Sequence, residues 1–336
     1  MNRILPFALT LFLLVNVGCE TSGTKSAPAD SSAAAKDKVV LMLNWYPEAE
    51  HGGFYAAKVH RIFDQYGLDV EIRPGGPNAP VVQELVTGRV QFGIANASDA
   101  LLYRQQNAKV VALLAPIRNS PRCILVRQDS GVTDLTGLKG MTLQANQGRP
   151  FLDFMKSKNL LEGVQVVPYG GSVAKLVTDK NTAIQAYSFS EPFMAEQQGA
   201  AVRALMVSDI GYNPYASCLI CTEDYFSANG DIVSRMTAAS QAGWQQYFTS
   251  ATETNAEVLA NNKEGMTAEA LAYGVDKLRP LCLPAGLPLS DLGTMTTERW
   301  EELVDQFVAL GLVDGNKVKA SEVFKIPTPT ATPNFK

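Results

Sequence analysis

The sequence predicts an α/β protein in which two doubly wound lobes surround a ligand cleft. Short apolar runs typical of buried strands alternate with segments whose apolar residues recur at helical spacing. This alternation starts near residue 39 and restarts after residue 119. Strand–helix–strand units of this kind make right-handed crossovers and a mainly parallel sheet. About 290 residues lie between the two termini, more than one ordinary hydrophobic core encloses, so we expect two lobes.

The N-terminus has the features of an export signal. Arg3 supplies a positive charge, and residues 4–17 form an apolar run too short for a permanent membrane helix. Gly18 and Cys19 end this run, and the pattern resembles the bacterial lipoprotein signal, in which the cysteine is acylated and becomes the mature N-terminus. We therefore expect a signal peptide at residues 1–18 and a periplasmic or cell-envelope lipoprotein anchored at Cys19. The alternative is an ordinary secretory signal with an unrelated cysteine.

Both ends of the remaining chain are predicted to be flexible. Residues 19–38 are rich in Ser, Ala, Lys and Asp and cannot bury enough apolar surface to fold, so they are expected to form a lipidated tether. Residues 327–336 place three prolines among threonines and are expected to be disordered. No second long apolar run follows, so no transmembrane span is expected. The net charge of −4 comes without a basic block, which argues against nucleic acid as a partner.

Lobe 1 is assigned to residues 39–118 together with residues 223–326. Its predicted strands span residues 39–43, 68–72, 90–95 and 110–114. The helices between these strands are predicted at residues 53–66, 81–87 and 97–106, and Gly67 is placed to end the first of them. Further helices are predicted at residues 231–248, 255–261, 268–278 and 297–310. This lobe therefore combines the first strands with a helical C-terminal region.

Lobe 2 is assigned to residues 119–222. Its strands are predicted at residues 123–126, 141–143, 164–168 and 183–189, with helices at residues 150–158 and 173–178. Besides Cys19 the chain holds Cys123, Cys218, Cys221 and Cys282, at spacings that match no small disulfide scaffold. Cys218 and Cys221 lie three residues apart on a predicted strand, so they point to opposite faces. They are therefore predicted to be buried core cysteines rather than ligands of a shared metal.

Residues 44–57, with the sequence Asn-Trp-Tyr-Pro-Glu-Ala-Glu-His-Gly-Gly-Phe-Tyr-Ala-Ala, resemble the opening of the periplasmic binding proteins related to thiamine-pyrimidine synthases and sulfonate-binding proteins. Residues 67–72, 87–95 and 135–140 follow at the spacing of that family. The resemblance implies the type II periplasmic-binding-protein fold. It also implies the substrate-binding component of an ABC importer, which captures a small heteroaromatic solute by domain closure. A monomer without a cofactor is expected, with an inner-membrane ABC permease as its partner.

Ligands of doubly wound sheets bind beyond the carboxyl ends of the strands, which places the loop after Leu43 at the cleft. Trp45 and Tyr46 lie in this loop, and stacking on an aromatic ligand contributes about 0.5–1.5 kcal/mol beyond burial. The resemblance implies that His51 contacts the ligand, because the related synthases place a functional histidine at the matching position. The alternative for His51 is a packing or helix-capping role.

Further ligand contacts are predicted in loops that follow later strands. Asn96 and Ser98 either contact the ligand or cap the next helix. Gly148 and Arg149 open a helix, and their backbone N–H groups and guanidinium suit an anion or a carbonyl. Glu191 follows a strand and is predicted to accept hydrogen bonds from an aminopyrimidine, with a structural glutamate as the alternative. The remaining candidates are Arg122, Tyr187 and Tyr215.

The first expectation for the ligand is a pyrimidine related to thiamine, because His51 matches the synthase side of the family. Riboflavin is the second, since residues 74–77 resemble a loop of flavin-binding relatives, and an alkylsulfonate is a further alternative. The alternative from another class is a thiamine-pyrimidine synthase, but those enzymes carry a dense cysteine cluster and residues 211–217 hold no cysteine. The chain has no HExxH, Walker lysine loop or Gly-x-Ser-x-Gly elbow, so neither a catalytic residue nor a metal site is predicted.

Overall fold

The computed structural model describes residues 35–328. The predicted signal peptide, Cys19 and residues 20–34 of the tether lie outside the described residues, as do residues 329–336 of the tail. Within residues 35–328, no helix is both long enough and apolar enough to cross a bilayer.

The described residues contain ten β-strands and thirteen α-helices in the alternating order that the sequence predicted. The strands are β1 (Asp37–Met42), β2 (Leu68–Arg73), β3 (Phe92–Ala95), β4 (Val110–Leu114), β5 (Arg122–Arg127), β6 (Thr142–Gln144), β7 (Gln165–Val167), β8 (Thr182–Tyr187), β9 (Val202–Met206) and β10 (Cys218–Thr222). The helices are α1 (Gly52–Val59), α2 (Ile62–Gln65), α3 (Val81–Val86), α4 (Ala97–Gln105), α5 (Pro150–Ser157), α6 (Ala174–Thr178), α7 (Glu191–Gln197), α8 (Glu223–Ala228), α9 (Gly230–Thr249), α10 (Thr252–Asn261), α11 (Ala268–Cys282), α12 (Thr297–Ala309) and α13 (Ala320–Val323).

The first sheet has the strand order β2-β1-β3-β10-β4 and forms the centre of lobe 1. β1 pairs in parallel with β2 and β3, whereas β10 runs antiparallel to β3 and β4. The predicted boundary assigned residues 119–222 to lobe 2, and the pairing of β10 corrects it. The chain has already returned to the first sheet at Cys218, because β10 fills the gap between β3 and β4.

The second sheet, in lobe 2, has the strand order β7-β6-β8-β5-β9. β6 pairs in parallel with β7 and β8, while β5 runs antiparallel to β8 and β9. Both sheets are therefore mixed, and each contains one strand that is antiparallel to its neighbours. These strands, β10 and β5, are the first that the chain forms after it crosses from one lobe to the other. Two crossing segments join the sheets, and they pair with each other through an antiparallel bridge between Ile117 and Ala216. Asn213 reinforces this paired hinge, since its Oδ1 accepts from the backbone N–H of Ser120 at 2.7 Å.

The helix predicted at residues 53–66 is divided in two. α1 ends at Val59 and α2 begins at Ile62, because Arg61 takes a left-handed conformation with φ of 56°. Gly67 has φ of 67°, which confirms its predicted place at the end of this helical region. α1 packs against α9, whose Trp244 and Tyr247 are fully buried. This packing anchors the start of α1, and with it the loop that leads from β1.

The cysteines of the described residues are all buried and unpaired with one another. Cys218 packs with Ile220 in one core cluster, whereas Cys221 packs with Leu219 in another. The two cysteines of β10 therefore face opposite sides of the first sheet, which confirms the prediction of two core cysteines.

Candidate functional site

A solvent-open cleft of about 1010 Å³ lies where the loops of the two lobes meet. Its walls come from the carboxyl ends of β1, β3, β6 and β8, the positions at which doubly wound sheets bind ligands. Because β5 runs antiparallel to β8, its first residue, Arg122, lies at the same edge. The polar and aromatic side chains that line the cleft are Asn44, Trp45, Glu48, Glu50, Asn78, Asn96, Asp99 and Tyr103 from lobe 1, and Arg122, Asn146, Arg149, Tyr169, Gln185, Tyr187, Ser190 and Glu191 from lobe 2.

Aromatic side chains from both lobes face this cleft. The Trp45 indole is held by a hydrogen bond of 3.2 Å from its Nε1 to the carboxylate of Glu48. Tyr46 does not line the cleft; its ring lies 5.3 Å from the Trp45 ring and packs towards Gly76. Across the cleft, the guanidinium of Arg122 lies 4.2 Å from the centre of the Tyr187 ring. The aromatic wall predicted from two neighbouring residues is therefore built by Trp45 and by tyrosines from distant segments.

His51 is fully buried and does not line the cleft, so direct ligand contact, the role that the resemblance implied, does not match its position. Its Nδ1 accepts a hydrogen bond from the backbone N–H of Glu48 at 3.3 Å, and its Nε2 lies 3.0 Å from Oδ1 of Asn44. Burial lowers the pKa of His51 to about 3, so the ring is neutral and Nε2 donates to Asn44. His51 thus positions Asn44 and Glu48, both of which do line the cleft.

Three glutamates with raised pKa values lie together at one part of the cleft. Burial raises the pKa of Glu50 to about 7, although a hydrogen bond of 2.6 Å from the Ser217 hydroxyl to its Oε2 favours the ionised form. Burial also raises the pKa of Glu48 well above its usual value, and the charges of Glu50 and Glu191 raise it further. Burial also raises the pKa of Glu191, although a hydrogen bond of 2.7 Å from the backbone N–H of Tyr187 lowers it in part.

A pair of charged residues connects the lobes beside these glutamates. Nη1 of Arg149, at the start of α5, lies 3.4 Å from Oδ1 of Asp99 on α4. Asp99 also accepts from the side-chain amide of Asn96 at 3.2 Å, while Oδ1 of Asn96 accepts from the backbone N–H of Ser217 at 3.2 Å. Asn96 therefore caps α4 and lines the cleft at the same time, and its contact with a ligand stays a prediction.

The other predicted residues lie in or beside a smaller adjoining cavity of about 390 Å³. Ser98 and Tyr215 line this cavity but not the main cleft, and both are buried. Gly148 lines neither cavity; its φ of 74° turns the chain ahead of Arg149. The predicted residues that the structure brings together around the main cleft are Trp45, Asn96, Arg122, Arg149, Tyr187 and Glu191.

The prediction missed several lining residues. Glu48 and Glu50 had a local signal, because two acids in the four residues before a histidine directly follow a strand. Asp99 had a weaker one, since it stands three residues after the capping Asn96. The missed residues of lobe 2 had no local signal, because only the pairing of β6 with β7 and β8 brings them to this edge. They are Asn146, Tyr169, Gln185 and Ser190. Among the described residues, no group of three or more His, Cys, Asp or Glu side chains is arranged to hold a metal ion.

The profile of the family described as NMT1/THI5 like matches residues 48–253, more than half of the chain. The chain belongs to the NMT1/THI5-like family. Among its relatives, a formylaminopyrimidine-binding protein of Halalkalibacterium halodurans is 24% identical over 313 residues, which cover 90% of this chain and 93% of that protein. The riboflavin-binding protein RibY of Chloroflexus aurantiacus is 21% identical over 347 residues, which cover 96% of this chain and 91% of that protein.

A solved structure similar to this NMT1/THI5-like chain is the periplasmic aliphatic sulphonate binding protein SsuA of Escherichia coli. It has a TM-score of 0.67 at 16% identity, over 89% of this chain and 96% of that one. At this identity the likeness concerns the fold, and it confirms the predicted periplasmic-binding-protein fold.

Proposed function

We propose that this chain is the substrate-binding component of an ABC importer and captures a small heteroaromatic solute by closure of its two lobes. The observation that carries the proposal is the cleft, in which Trp45 of lobe 1 and Tyr187 of lobe 2 frame a space lined with hydrogen-bonding groups. A paired hinge at Ile117 and Ala216 joins the lobes, so a ligand that contacts both lobes stabilises the closed form.

An aminopyrimidine is the ligand class that the cleft chemistry favours. Its ring suits the aromatic wall, and its amino group supplies donors to the carboxylates of Glu48, Glu50 and Glu191. Because the pKa of Glu50 is about 7, the protonated form is also populated near neutral pH and donates to a ring nitrogen. The relative named a formylaminopyrimidine-binding protein supports the same class.

Riboflavin is the second candidate. Gly76, within the loop at residues 74–77 that resembles flavin-binding relatives, lines the cleft, and the relative RibY is named a riboflavin-binding protein. An alkylsulfonate suits this cleft poorly, because its lining holds four carboxylates (Glu48, Glu50, Asp99 and Glu191) against two guanidinium groups (Arg122 and Arg149). A sulfonate offers these carboxyl groups an anion made of acceptor oxygens instead of the N–H donors that suit them.

The proposal includes the location and the partners expected from the sequence. We assign the chain to the cell envelope as a monomeric lipoprotein anchored at Cys19, with an inner-membrane permease that recognises the closed form. The apolar run at residues 4–17 before Gly18 and Cys19 supports this location. We also propose the division into two lobes, with residues 39–118 and 223–326 in lobe 1 and residues 119–222 in lobe 2. The one change is that β10 moves to lobe 1.

A binding function without catalysis is part of the proposal, in place of a thiamine-pyrimidine synthase. Cys218 and Cys221, the cysteines near residues 211–217, are buried in two different core clusters rather than exposed in the cleft. The relatives with the long matches are both named binding proteins.

A thermal-shift screen of the purified mature protein tests the proposal. The panel contains aminopyrimidines, thiamine, riboflavin, alkylsulfonates and pyridoxal phosphate. A ligand at one hundred times its Kd stabilises the fold by about 2.7 kcal/mol, which raises the melting temperature measurably. A shift with an aminopyrimidine supports the first candidate, and a shift with riboflavin alone supports the second. A shift with sulfonates alone, or with none of the compounds, contradicts the heteroaromatic ligand class.

A further inference from the structure

Within residues 35–328, the four carboxyl groups that line the cleft (Glu48, Glu50, Asp99 and Glu191) outnumber its two guanidinium groups (Arg122 and Arg149). Arg149 is engaged by Asp99 at 3.4 Å, and Arg122 lies over the Tyr187 ring and donates to the backbone carbonyl of Ala186 at 3.4 Å. Within residues 35–328, no lysine or arginine nitrogen lies within 4.0 Å of the carboxylates of Glu48, Glu50 or Glu191. This surplus of carboxyl groups has no direct cationic partner at Glu48, Glu50 or Glu191 within the described residues, so it is available to a ligand.

Glu50 shows that this surplus belongs to a built site rather than to a solvated surface. Only 2% of Glu50 is exposed, yet it lines the cleft. Its Oε2 is occupied by the Ser217 hydroxyl, whereas Oε1 has no hydrogen-bond donor among the described residues and lies 4.0 Å from Nε2 of the neutral His51. Oε1 is therefore available to a ligand in the cleft, and a ligand N–H that donates to it adds a hydrogen bond that the described residues do not supply.

The carboxylates come from both lobes. Glu48 is the N-cap of a short 3₁₀-helix (Ala49–His51) that follows β1 in lobe 1, and Glu50 lies within this helix. Glu191 begins α7 in lobe 2. The carboxylate charges are close enough for each to raise the pKa of another, since Glu191 contributes to the raised values of both Glu48 and Glu50. A cation between the lobes at this point interacts favourably with carboxyl groups of both lobes, which favours closure.

We propose that the solute carries a positive charge, as a protonated amine or amidine attached to its ring, and that Glu50 and Glu191 hold this cationic N–H group from opposite lobes. This inference rests on the proposed function, from which it takes the aromatic ring of the ligand. The charge preference comes from the unbalanced carboxylates of the cleft, so it is tested separately. Charge-assisted hydrogen bonds to two carboxylates are about twice as strong as neutral ones, which makes the charge a basis for selection.

Binding of such a cation also releases protons. A positive charge beside Glu48, Glu50 and Glu191 lowers their raised pKa values, so a carboxyl that held a proton in the empty cleft loses it. The other titratable or charged groups around these glutamates are His51, Asp99, Tyr103, Arg122, Arg149, Tyr169 and Tyr187. His51 is neutral with a pKa of about 3, and burial raises the pKa of each of the three tyrosines. The glutamates are therefore the source of protons released near pH 7.

The experiment compares two probes that differ at one position. One is a methylated aminopyrimidine with an aminomethyl arm, which is an ammonium at neutral pH, and the other carries a neutral hydroxymethyl arm of the same size. Titration calorimetry of the mature protein gives both Kd values, and repetition in buffers of different ionisation enthalpy gives the protons released. We expect the ammonium probe to bind about tenfold more tightly or better, with proton release.

Two variants assign the preference to the cleft. Glu50→Gln keeps an acceptor for Ser217 but removes the charge, so it is expected to abolish most of the preference for the ammonium probe. Glu301→Gln removes an exposed charge on α12 and is expected to leave both affinities unchanged. A melting curve shows whether each variant is folded, and Glu50→Asp is expected to restore part of the charge preference.

Equal affinity for the two probes overturns the charge inference and leaves the aminopyrimidine function standing. If neither probe binds, the pyrimidine class fails, and a panel of matched amine and alcohol pairs on other aromatic rings decides the charge inference. The charge inference is supported if the amines give a larger thermal shift than their alcohols and if this difference is lost in Glu50→Gln. The absence of such a difference throughout the panel overturns it.

Discussion

Trp45 shows how a single residue of the cleft is prepared for its ligand. Its indole N–H is held by Glu48 at 3.2 Å, so the ring has a defined orientation before any ligand arrives. Glu48 in turn is positioned by the interaction of its backbone N–H with the buried His51. A pre-oriented ring loses little conformational entropy on binding, which makes it an efficient stacking surface.

Replacement of Trp45 by alanine is expected to raise the Kd of the solute by about tenfold or more, because the stacking face and its buried area are both lost. Trp45→Phe keeps a flat ring and is expected to lose less. Since Trp45 is partly exposed, the melting temperature of the empty protein should change little. Calorimetric titration measures the affinities, and an unchanged Kd in Trp45→Ala contradicts the assignment of the cleft.

Glu50 makes the stability of the empty protein depend on pH. Its pKa is about 7 in the folded protein and near 4.5 when the chain is unfolded. The folded state therefore binds the proton more tightly, so this stabilisation is complete below pH 4.5 and is lost as the pH rises through about 7. Glu50→Gln cannot ionise and avoids this loss.

The free energy of unfolding of Glu50→Gln, relative to the unaltered protein, is expected to increase between pH 5 and pH 8 by up to about 3 kcal/mol. Urea denaturation at several pH values measures this difference. Glu301→Gln, which changes an exposed glutamate, is expected to show no such trend. A constant difference across this pH range for Glu50→Gln shows that Glu50 does not titrate near pH 7.

At the scale of elements, the Gly52–Gly53 pair explains the close contact between α1 and α9. A Cβ atom on Gly53 would lie 2.1 Å from the Trp244 ring, and one on Gly52 would lie 2.0 Å from the Tyr247 ring. The approach is reciprocal, because a Cβ atom on Gly243 of α9 would lie 2.3 Å from the carbonyl oxygen of Gly53. The glycines that follow His51 in the sequence therefore serve helix packing, which holds the β1 loop at the cleft.

Gly53→Ala is expected to destabilise the protein by about 3 kcal/mol or more, because the indole of Trp244 is fully buried and has no space to move into. Gly230→Ala, at the start of α9, is the matched control. A Cβ atom there meets no other atom within 4 Å, so its stability is expected to stay the same or rise slightly. Equal melting temperatures for the two variants contradict the close-packing argument.

At the scale of the whole molecule, the Asp99–Arg149 pair is a contact between lobes that lies within the cleft. The Arg149 side chain is 49% exposed, which limits the strength of this pair through solvent screening. The pair therefore biases the closed form weakly, while the ligand and the glutamates that face it supply the larger effect. A weak bias suits a receptor that must open again to release its solute.

Arg149→Gln is expected to raise the Kd of the solute only about two- to fivefold, because an exposed ion pair contributes about 0–1 kcal/mol. Asp99→Asn should have a similar effect, and the double variant should be little worse than either single variant. Small-angle scattering of the unliganded Arg149→Gln protein is expected to show a larger radius of gyration. Fully additive losses of affinity in the double variant mean that the two residues do not act as a pair.

Local patterns in the sequence were sufficient to predict much of this structure. Apolar runs and helical spacing located every strand of the described residues except β9, and most helices but not α7, α8 and α13. The motif at residues 44–57 identified the loop that leads into the cleft. Side chains that directly follow a strand, such as Trp45, Asn96 and Glu191, were found for the same reason. The order of elements and the ends of strands depend on nearby residues, so the sequence by itself determines them.

Only the tertiary structure decided how distant segments meet. It placed β10 between β3 and β4, turned His51 inward to hold Asn44, and brought Glu50 towards Glu191 across the cleft. These facts depend on strand pairing and on packing between residues far apart in the chain, which no local spacing encodes. The pKa of Glu50 belongs to the same class, because it follows from burial, and burial is created only by tertiary packing.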